Sequence, residues 1–290
     1  MKETVLGIDI GGSHITSALV DLETRSIIES SFSRRAVDCR DPAEQILSSW
    51  CQVIRESLLT NGASVHKIGI AMPGPFDYEE GICLIEDQDK FRALFRVNIK
   101  EELAARLGLQ PEDFKFVNDA AGFLRGEAFS GAARNAHQVI GLTLGTGLGS
   151  AFFDGLQAMD AALWQSPYKG GIAEDYLTTR WFVSRYKEHT GREIEGVREL
   201  VQSADEEETK QAIFDEFAVN LSEFLIPFVK ARGAEVIVVG GNISNAHALF
   251  LPAVAERFAA EGMNVTLKNA ELHENASLIG AASCWEYQQI

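Results

Sequence analysis

Two short glycine-rich turns hold the residues best suited to chemistry in this sequence. Gly11-Gly12-Ser13 follows the alternating run Val5 to Ile10, and Gly145-Thr146-Gly147 follows Val139 to Leu144. Glycine removes the side chain that would keep a phosphate oxygen from a backbone N–H, so such turns suit a phosphorylated ligand. Either turn alone also reads as a plain hairpin connection. Two turns with matched flanking strands favour the phosphate reading. Asp9 stands at the end of the first strand and reads, by itself, as a turn-forming acid. Asn118 and Asp119 follow the apolar run Phe114 to Val117 and precede a helix, a position where both residue types serve as caps. Glu174 reads as a first-turn carboxylate at the positive end of a helix.

These residues need a framework of strands and helices. Leu6, Ile8 and Ile10 fall on one face of the first strand, and Gly7 and Asp9 on the other. Ile15 to Val20 reads as its partner strand and Ser26 to Phe32 as a third. Pro42 to Leu59 is an amphipathic helix, with Ile46, Trp50, Val53, Ile54 and Leu58 on one stripe. Lys67 to Met72 is a short strand ending at Pro73-Gly74-Pro75. A helix over Asn98 to Leu107 stops at Gly108. A strand over Phe114 to Val117 and a helix over Ala120 to Ser130 follow. The opening pattern of strand, glycine turn and strand then recurs from Val139 to Phe153, which reads as a duplicated half. Tyr176 to Glu188 and Glu206 to Lys230 read as helices. Glu235 to Val239 is a buried-type strand ending in Gly240-Gly241-Asn242. A helix over Ala248 to Glu261, a strand over Val265 to Lys268 and a helix over Ser277 to Tyr287 close the chain.

Composition narrows the function classes. The chain has 290 residues, 46% of them hydrophobic, which is an ordinary globular balance and long enough for two domains. Its 42 acidic residues against 26 basic ones give a net charge of −16. Nucleic acid and anionic membranes demand clustered cations, so neither is expected as a partner. No apolar run approaches the roughly 20 residues of a membrane span. The opening residues carry acids where a signal peptide needs an apolar stretch, so a cytoplasmic location is expected. Cys39, Cys51, Cys83 and Cys284 lie far apart in no paired motif and read as buried free thiols. Acidic clusters at Glu79-Glu80 and Asp205 to Glu208 read as solvated faces.

The motifs together carry a resemblance. Gly7 to Asp21 resembles the first phosphate motif of the actin-like sugar-kinase fold, and Leu142 to Gly149 resembles the second. Val238 to Asn242 resembles the adenosine motif. Val117 to Ala120, followed by Gly126-Glu127-Ala128, resembles the catalytic segment of the ROK family of bacterial repressors and sugar kinases. Order and spacing fit over essentially the whole chain. The resemblance implies a two-domain α/β fold of actin-like, ribonuclease H-like type, each domain a mixed sheet flanked by helices, with a cleft between. Residues 1–117 with 277–290 would form the N-terminal domain, and 118–276 the nucleotide-binding one.

The implied activity is ATP- and Mg²⁺-dependent phosphorylation of a sugar hydroxyl, on a hexose or an N-acetylhexosamine. Asp119 would be the general base, and Asn118 and Glu174 would bind sugar hydroxyls. Gly74 and Gly81 would border the sugar. Gly11, Gly12, Ser13, Gly145, Thr146 and Gly147 would hold phosphates, and Gly240 and Gly241 the adenosine. Asp9 would hold Mg²⁺, directly or through water. The donor, ATP or polyphosphate, stays open, as does dimerisation, which is common in the resembled family.

Departures from the family pattern are equally plain. His14 stands where related kinases often carry Lys, and neither glycine turn contains a cation, so Mg²⁺ and backbone dipoles must neutralise the phosphates. Leu148 to Glu174 contains neither Cys nor His. The family's zinc loop and its sugar-contacting His are therefore missing, and no zinc is expected. Trp164 or Tyr168 could stack on a sugar instead, or pack in the core. Gln88-Asp89-Lys90 is unusual, with Lys90 either a substrate contact or a solvated cation. Two other readings stay open: a sugar sensor acting through a protein partner, and a kinase of this fold with a non-sugar acceptor. A DNA-binding repressor is not expected, because the first strand begins by Val5 and the charge is acidic.

Overall fold

The computed structural model describes residues 3–60, 65–86, 90–203 and 207–286. The chain forms two compact units, one of residues 1–131 with 274–290 and one of residues 132–273.

The first unit opens on β1 (Thr4–Ile10), β2 (His14–Asp21), β3 (Ser26–Ile27) and β4 (Ser33–Ala36), followed by α1 (Ala43–Leu59). Then come β5 (Ile68–Met72), the small hairpin β6 (Phe76–Asp77) and β7 (Ile82–Cys83), α2 (Ile99–Leu107), β8 (Phe114–Asn118) and α3 (Asp119–Ser130). The sheet order is β3-β2-β1-β5-β8, with β4 also on β2. β1 and β2 are antiparallel, whereas β1, β5 and β8 run parallel. Alternation along β1 divides the work as its sequence expects. Leu6, Ile8 and Ile10 join a core with Ile46, Trp50, Val53 and Ile54 of α1. Gly7 and Asp9 point the other way, and a Cβ on Gly7 would stand 2.4 Å from the carbonyl oxygen of Leu278.

The second unit repeats the pattern with β9 (Val139–Leu144), β10 (Leu148–Phe153), β11 (Ala158–Asp160), the hairpin β12 (Pro167–Tyr168) and β13 (Gly171–Ile172), and the helices α4 (Ala173–Tyr176), α5 (Thr179–Thr190), α6 (Val197–Gln202) and α7 (Glu207–Arg232). β14 (Val236–Gly240), α8 (Leu251–Ala260) and β15 (Thr266–Asn269) complete it. Its sheet order is β11-β10-β9-β14-β15, antiparallel on one side of β9 and parallel on the other. This order and these directions match β3-β2-β1-β5-β8 of the first sheet, which carries β4 in addition, in line with the duplicated half read from the sequence. The core packs Leu142 and Val239 of the sheet against Phe182, Phe214, Phe217 and Phe250.

The last helix, α9 (Ala276–Ser283), belongs to the first unit. The first unit runs through Gly131 and resumes at Glu274, beside the expected domain edges at Val117 and Ser277. The cause is a helix contact at backbone distance. A Cβ on Gly280 would lie 1.8 Å from the Gly122 carbonyl oxygen, and one on Gly126 2.0 Å from that of Ala276. Only glycine permits such an approach, so α3 and α9 are locked together on the Gly7–Asp9 face.

Three local expectations shift. Ser26 to Phe32 pairs only through β3, because a 3-10 turn over Glu29–Ser31 lets the Ser31 hydroxyl accept from the Leu19 N–H at 2.8 Å. Tyr176 closes the short α4, and the following helix starts at Thr179. Asn242–Leu249 winds as 3-10, and α8 starts only at Leu251, with Pro252 in its first turn. Asp205, Glu206, Gln88, Asp89 and Tyr287 lie outside the described residues. Among the described residues, no helix is long and apolar enough to cross a membrane. Cys51 and Cys83 are buried as expected, but Cys39 and Cys284 are only half-buried.

Candidate active site

The first unit assembles its acids from strand register. Asp9 pairs with Thr16 on β2, and Thr16 with Arg34 on β4. Directly opposed residues share a sheet face, so Asp9, Thr16 and Arg34 line up on the α9 side. Arg35, one residue on, points to the other face and pairs with Glu56 of α1 at 2.8 Å. Arg34 pairs with Glu274, just before α9. The Asp9 carboxyl is pushed up to about 7, first by burial and next by the negative charge of Asp119. Arg34 opposes this rise and Glu274 adds to it.

Asp119 is the first residue of α3, and Asn118, not Asp119, is the cap. The Asn118 side-chain oxygen accepts from the N–H groups of Ala120 and Ala121 at 2.9 and 3.1 Å. Its amide nitrogen donates to the Tyr78 hydroxyl at 3.2 Å, and that hydroxyl donates to the Met72 carbonyl at 3.1 Å. An amide has a second N–H to offer. The Asp119 carboxylate accepts from the Ala120 N–H at 2.9 Å, which fixes its direction at the helix start. Tyr78 thus positions Asn118 from another element, and nothing in the local sequence of either residue signals it.

Glycines near these acids differ in cause. Gly81 has φ +78° and leaves no space beside Lys100, so backbone geometry accounts for it. Gly74 lies against the Tyr78 hydroxyl, 3.1 Å from where a Cβ would stand. In the first turn the Gly11 N–H donates to the His14 carbonyl at 2.9 Å. The Ser13 hydroxyl and His14 Nδ1 are hydrogen-bonded at 2.9 Å. The nearest neighbour of a Cβ on Gly12 would be Cys39 Sγ, at 3.9 Å. Neither Gly11 nor Gly12 has a left-handed backbone. The fold would therefore tolerate a side chain at either, and the turn is left open on its own account.

The second unit holds the other glycine turn. A Cβ on Gly145 would meet nothing within 4 Å. The Gly145 carbonyl accepts from both the backbone N–H and the hydroxyl of Thr179, which ties the turn to α5. Glu174, in the first turn of α4, accepts from the Leu148 N–H at 3.3 Å and lies 3.7 Å from the Arg180 guanidinium. Its carboxylate thus rests on the glycine turn. Gly240 ends β14, and Gly241 has φ +84° with its missing Cβ 2.4 Å from the Leu144 carbonyl oxygen, so only glycine fits. A groove of about 600 Å³ runs from Thr146 and Thr179 past Gly196 and Val197 to Asn242 and Ala246. It joins the second turn to the segment after Gly241, which suits a nucleotide laid from phosphate to base.

The aromatic candidates separate. Tyr168 packs edge-on against Tyr176 and Phe224 and donates to Glu223 at 3.1 Å, so its ring is used in packing. Trp164 is exposed. Lys90 is half-buried.

The acids of the first unit also suit a hard divalent cation. Asp9 and Asp119 offer carboxylate oxygens whose mutual repulsion raises the Asp9 pKa, and a cation would relieve it. Among the described residues no group of three or more His, Cys, Asp and Glu is placed to hold a metal. The donor set therefore suits Mg²⁺ shared with phosphate oxygens, its usual mode, and not a closed protein cage.

Comparison with known proteins places the chain in a family. The ROK family model matches residues 5–160 and 166–288. A glucokinase of Thermotoga maritima is 24% identical, with 97% of each chain covered. An N-acetyl-D-glucosamine kinase of Histophilus somni is 26% identical, covering 96% of this chain and 97% of its own. The crystal structure of a ROK family glucokinase from Streptomyces griseus, in complex with glucose and AMPPNP, superposes with a TM-score of 0.77 at 22% identity, over 97% of this chain and 99% of that one. The fold is the actin-like α/β kinase fold expected from the motifs. The chain belongs to the ROK family.

Proposed function

We propose that this chain transfers the γ-phosphoryl group of ATP to a hydroxyl of a sugar, a hexose or an N-acetylhexosamine. The observation that carries this reading is the Asp9–Asp119 pair, one acid at a strand end and one on the first residue of a capped helix, electrostatically coupled within one unit. Family membership and the kinase names of the relatives support it.

Phosphoryl transfer asks a protein to hold the triphosphate, neutralise it and aim the acceptor. Backbone N–H groups of Gly11, Gly12 and Ser13, and of Gly145, Thr146 and Gly147, hold phosphate oxygens. Gly240 and Gly241 shape the groove for adenosine. Asp119 accepts the proton of the attacking hydroxyl, a contribution of about 10²–10⁴ in rate. Asn118 offers its remaining amide N–H to the sugar, and Gly74 keeps the adjoining loop close. Glu174 holds sugar hydroxyls from its place on the second turn. Gly81 acts only by shaping its loop. Asp9 would hold Mg²⁺, which when bound would supply charge neutralisation at the transferred group.

The test is a coupled assay with ATP and Mg²⁺ over a panel of hexoses and amino sugars. At least one should be turned over. Asp119→Asn should lower kcat about 10²–10⁴-fold while sugar binding survives. Near-normal turnover by that variant would remove Asp119 from the reaction.

A further inference from the structure

Neither glycine turn contains a cation, yet one stands beside the acids. Arg34 is set on the same sheet face as Asp9 by two successive strand pairings, Asp9 with Thr16 and Thr16 with Arg34. Among the described residues, it acts on Asp9 as a cation alongside two acids, Asp119 and Glu274. Its partner is Glu274, whose side chain is 76% exposed, while Arg34 itself is 40% exposed. An ion pair so open to water contributes little, so it is readily released. The planar guanidinium fork matches phosphate oxygens in geometry and stays charged throughout. Arg35 has no such freedom, since it faces α1 and is held by Glu56 and Gln52.

We propose that Arg34 is a catalytic residue of this kinase, leaving Glu274 to hydrogen-bond the phosphoryl group as it transfers. The inference rests on the sugar-kinase reading. In the step it serves, the acceptor hydroxyl oxygen forms a bond to the γ-phosphorus, and the bond from that phosphorus to the β–γ bridging oxygen breaks. The hydroxyl proton passes to the Asp119 carboxylate, and ADP departs with the bonding pair. Negative charge is carried through this step by the three equatorial oxygens, and the Arg34 guanidinium meets it. Glu274 is only the resting partner of the guanidinium and takes no part in the step.

The experiment compares the wild type with Arg34→Met, Arg34→Lys and Glu274→Gln, using kcat, KM for sugar and thermal midpoint. Arg34→Met should fold normally and keep the sugar KM, but lose roughly 10²-fold or more in kcat. Added guanidinium should restore part of that loss, and Arg34→Lys should fall between. Glu274→Gln should hold kcat at or above the wild-type value, because it frees the arginine. A purely structural ion pair predicts equal losses in Arg34→Met and Glu274→Gln and no guanidinium rescue, and that outcome overturns the proposal. So does a kcat for Arg34→Met within about threefold of the wild type. If the wild type phosphorylates none of the sugars, the kinase reading itself fails and this inference falls with it. An active wild type with an indifferent Arg34 sinks the inference alone.

Discussion

Thr179 donates twice to one atom: its backbone N–H and its hydroxyl both reach the carbonyl oxygen of Gly145, at 2.8 and 3.1 Å. The first residue of α5 thereby holds one end of the second glycine turn, whose open side has no packing to stiffen it. Thr179→Val keeps the shape and the backbone bond but removes the hydroxyl. It should cost about 1 kcal/mol in stability and raise the KM for ATP more than that for sugar. Steady-state kinetics with each substrate varied in turn would check the split. Equal effects on both would detach Thr179 from the nucleotide.

Gly145 and Gly241 look alike in sequence and should behave oppositely on substitution. A Cβ on Gly145 meets nothing, so Gly145→Ala should shift stability by no more than about 0.5 kcal/mol while weakening ATP binding. Gly241→Ala places a methyl group against the Leu144 carbonyl on a left-handed backbone and should cost about 1 kcal/mol or more. Thermal unfolding and nucleotide titration of the two variants distinguish the turn kept open for a ligand from the turn required by the fold.

Asp9 should give the metal-free protein a distinctive pH dependence. Its carboxyl rises from an ordinary 3.8 to about 7 on folding. Between these values the folded chain keeps a proton that the unfolded chain has released, so stability from this group falls as pH rises through the window. Asp9→Asn should remove that slope, leaving the variant the more stable protein at neutral pH. Mg²⁺ with ATP should recover stability in the wild type and not in the variant, and ATP binding should depend steeply on Mg²⁺. Parallel pH profiles for the two proteins would contradict this.

The four thiols should react unequally. Cys51 and Cys83 are buried, and burial pushes both thiols above their ordinary range, as it does that of Cys284. Iodoacetamide should label Cys39 first in the native protein, with Cys51 and Cys83 reacting only on unfolding. Cys39 borders Gly12, so ATP with Mg²⁺ should slow its labelling. Mass spectrometry of timed samples would read the order.

Much of the fold was legible because strand alternation and glycine punctuation are local. The repeated strand–turn–strand pattern, the helix stop at Gly108 and the two faces of β1 all read directly from residue order, while Asn98, read as helical, is the cap. Ser31 misled because its hydroxyl is satisfied by Leu19, a partner set by tertiary packing. Gly122 and Gly126 were silent for the same reason, since they show their purpose only when α9 lies against them. In the candidate site, residue types announced Asp9, Asp119 and the two turns. Tyr78, Thr179 and Arg34 were silent, because each acts through a neighbour remote in sequence. Glu174 was legible as an acid at a helix start, while its bond to Leu148 was not.

The place of α9 bears on how the chain is made. Residues 132–273 form a contiguous unit, whereas the first unit needs α9 to finish its sheet face. A ribosome releases the amino end first, and domains usually fold in that order. Here the leading half must wait, its Gly7 and Gly69 surface uncovered, until the final helix emerges. The second half in sequence is thus the first able to complete itself. Nascent chains arrested before Ala276 should expose a sticky, chaperone-binding β-sheet that full-length chains hide.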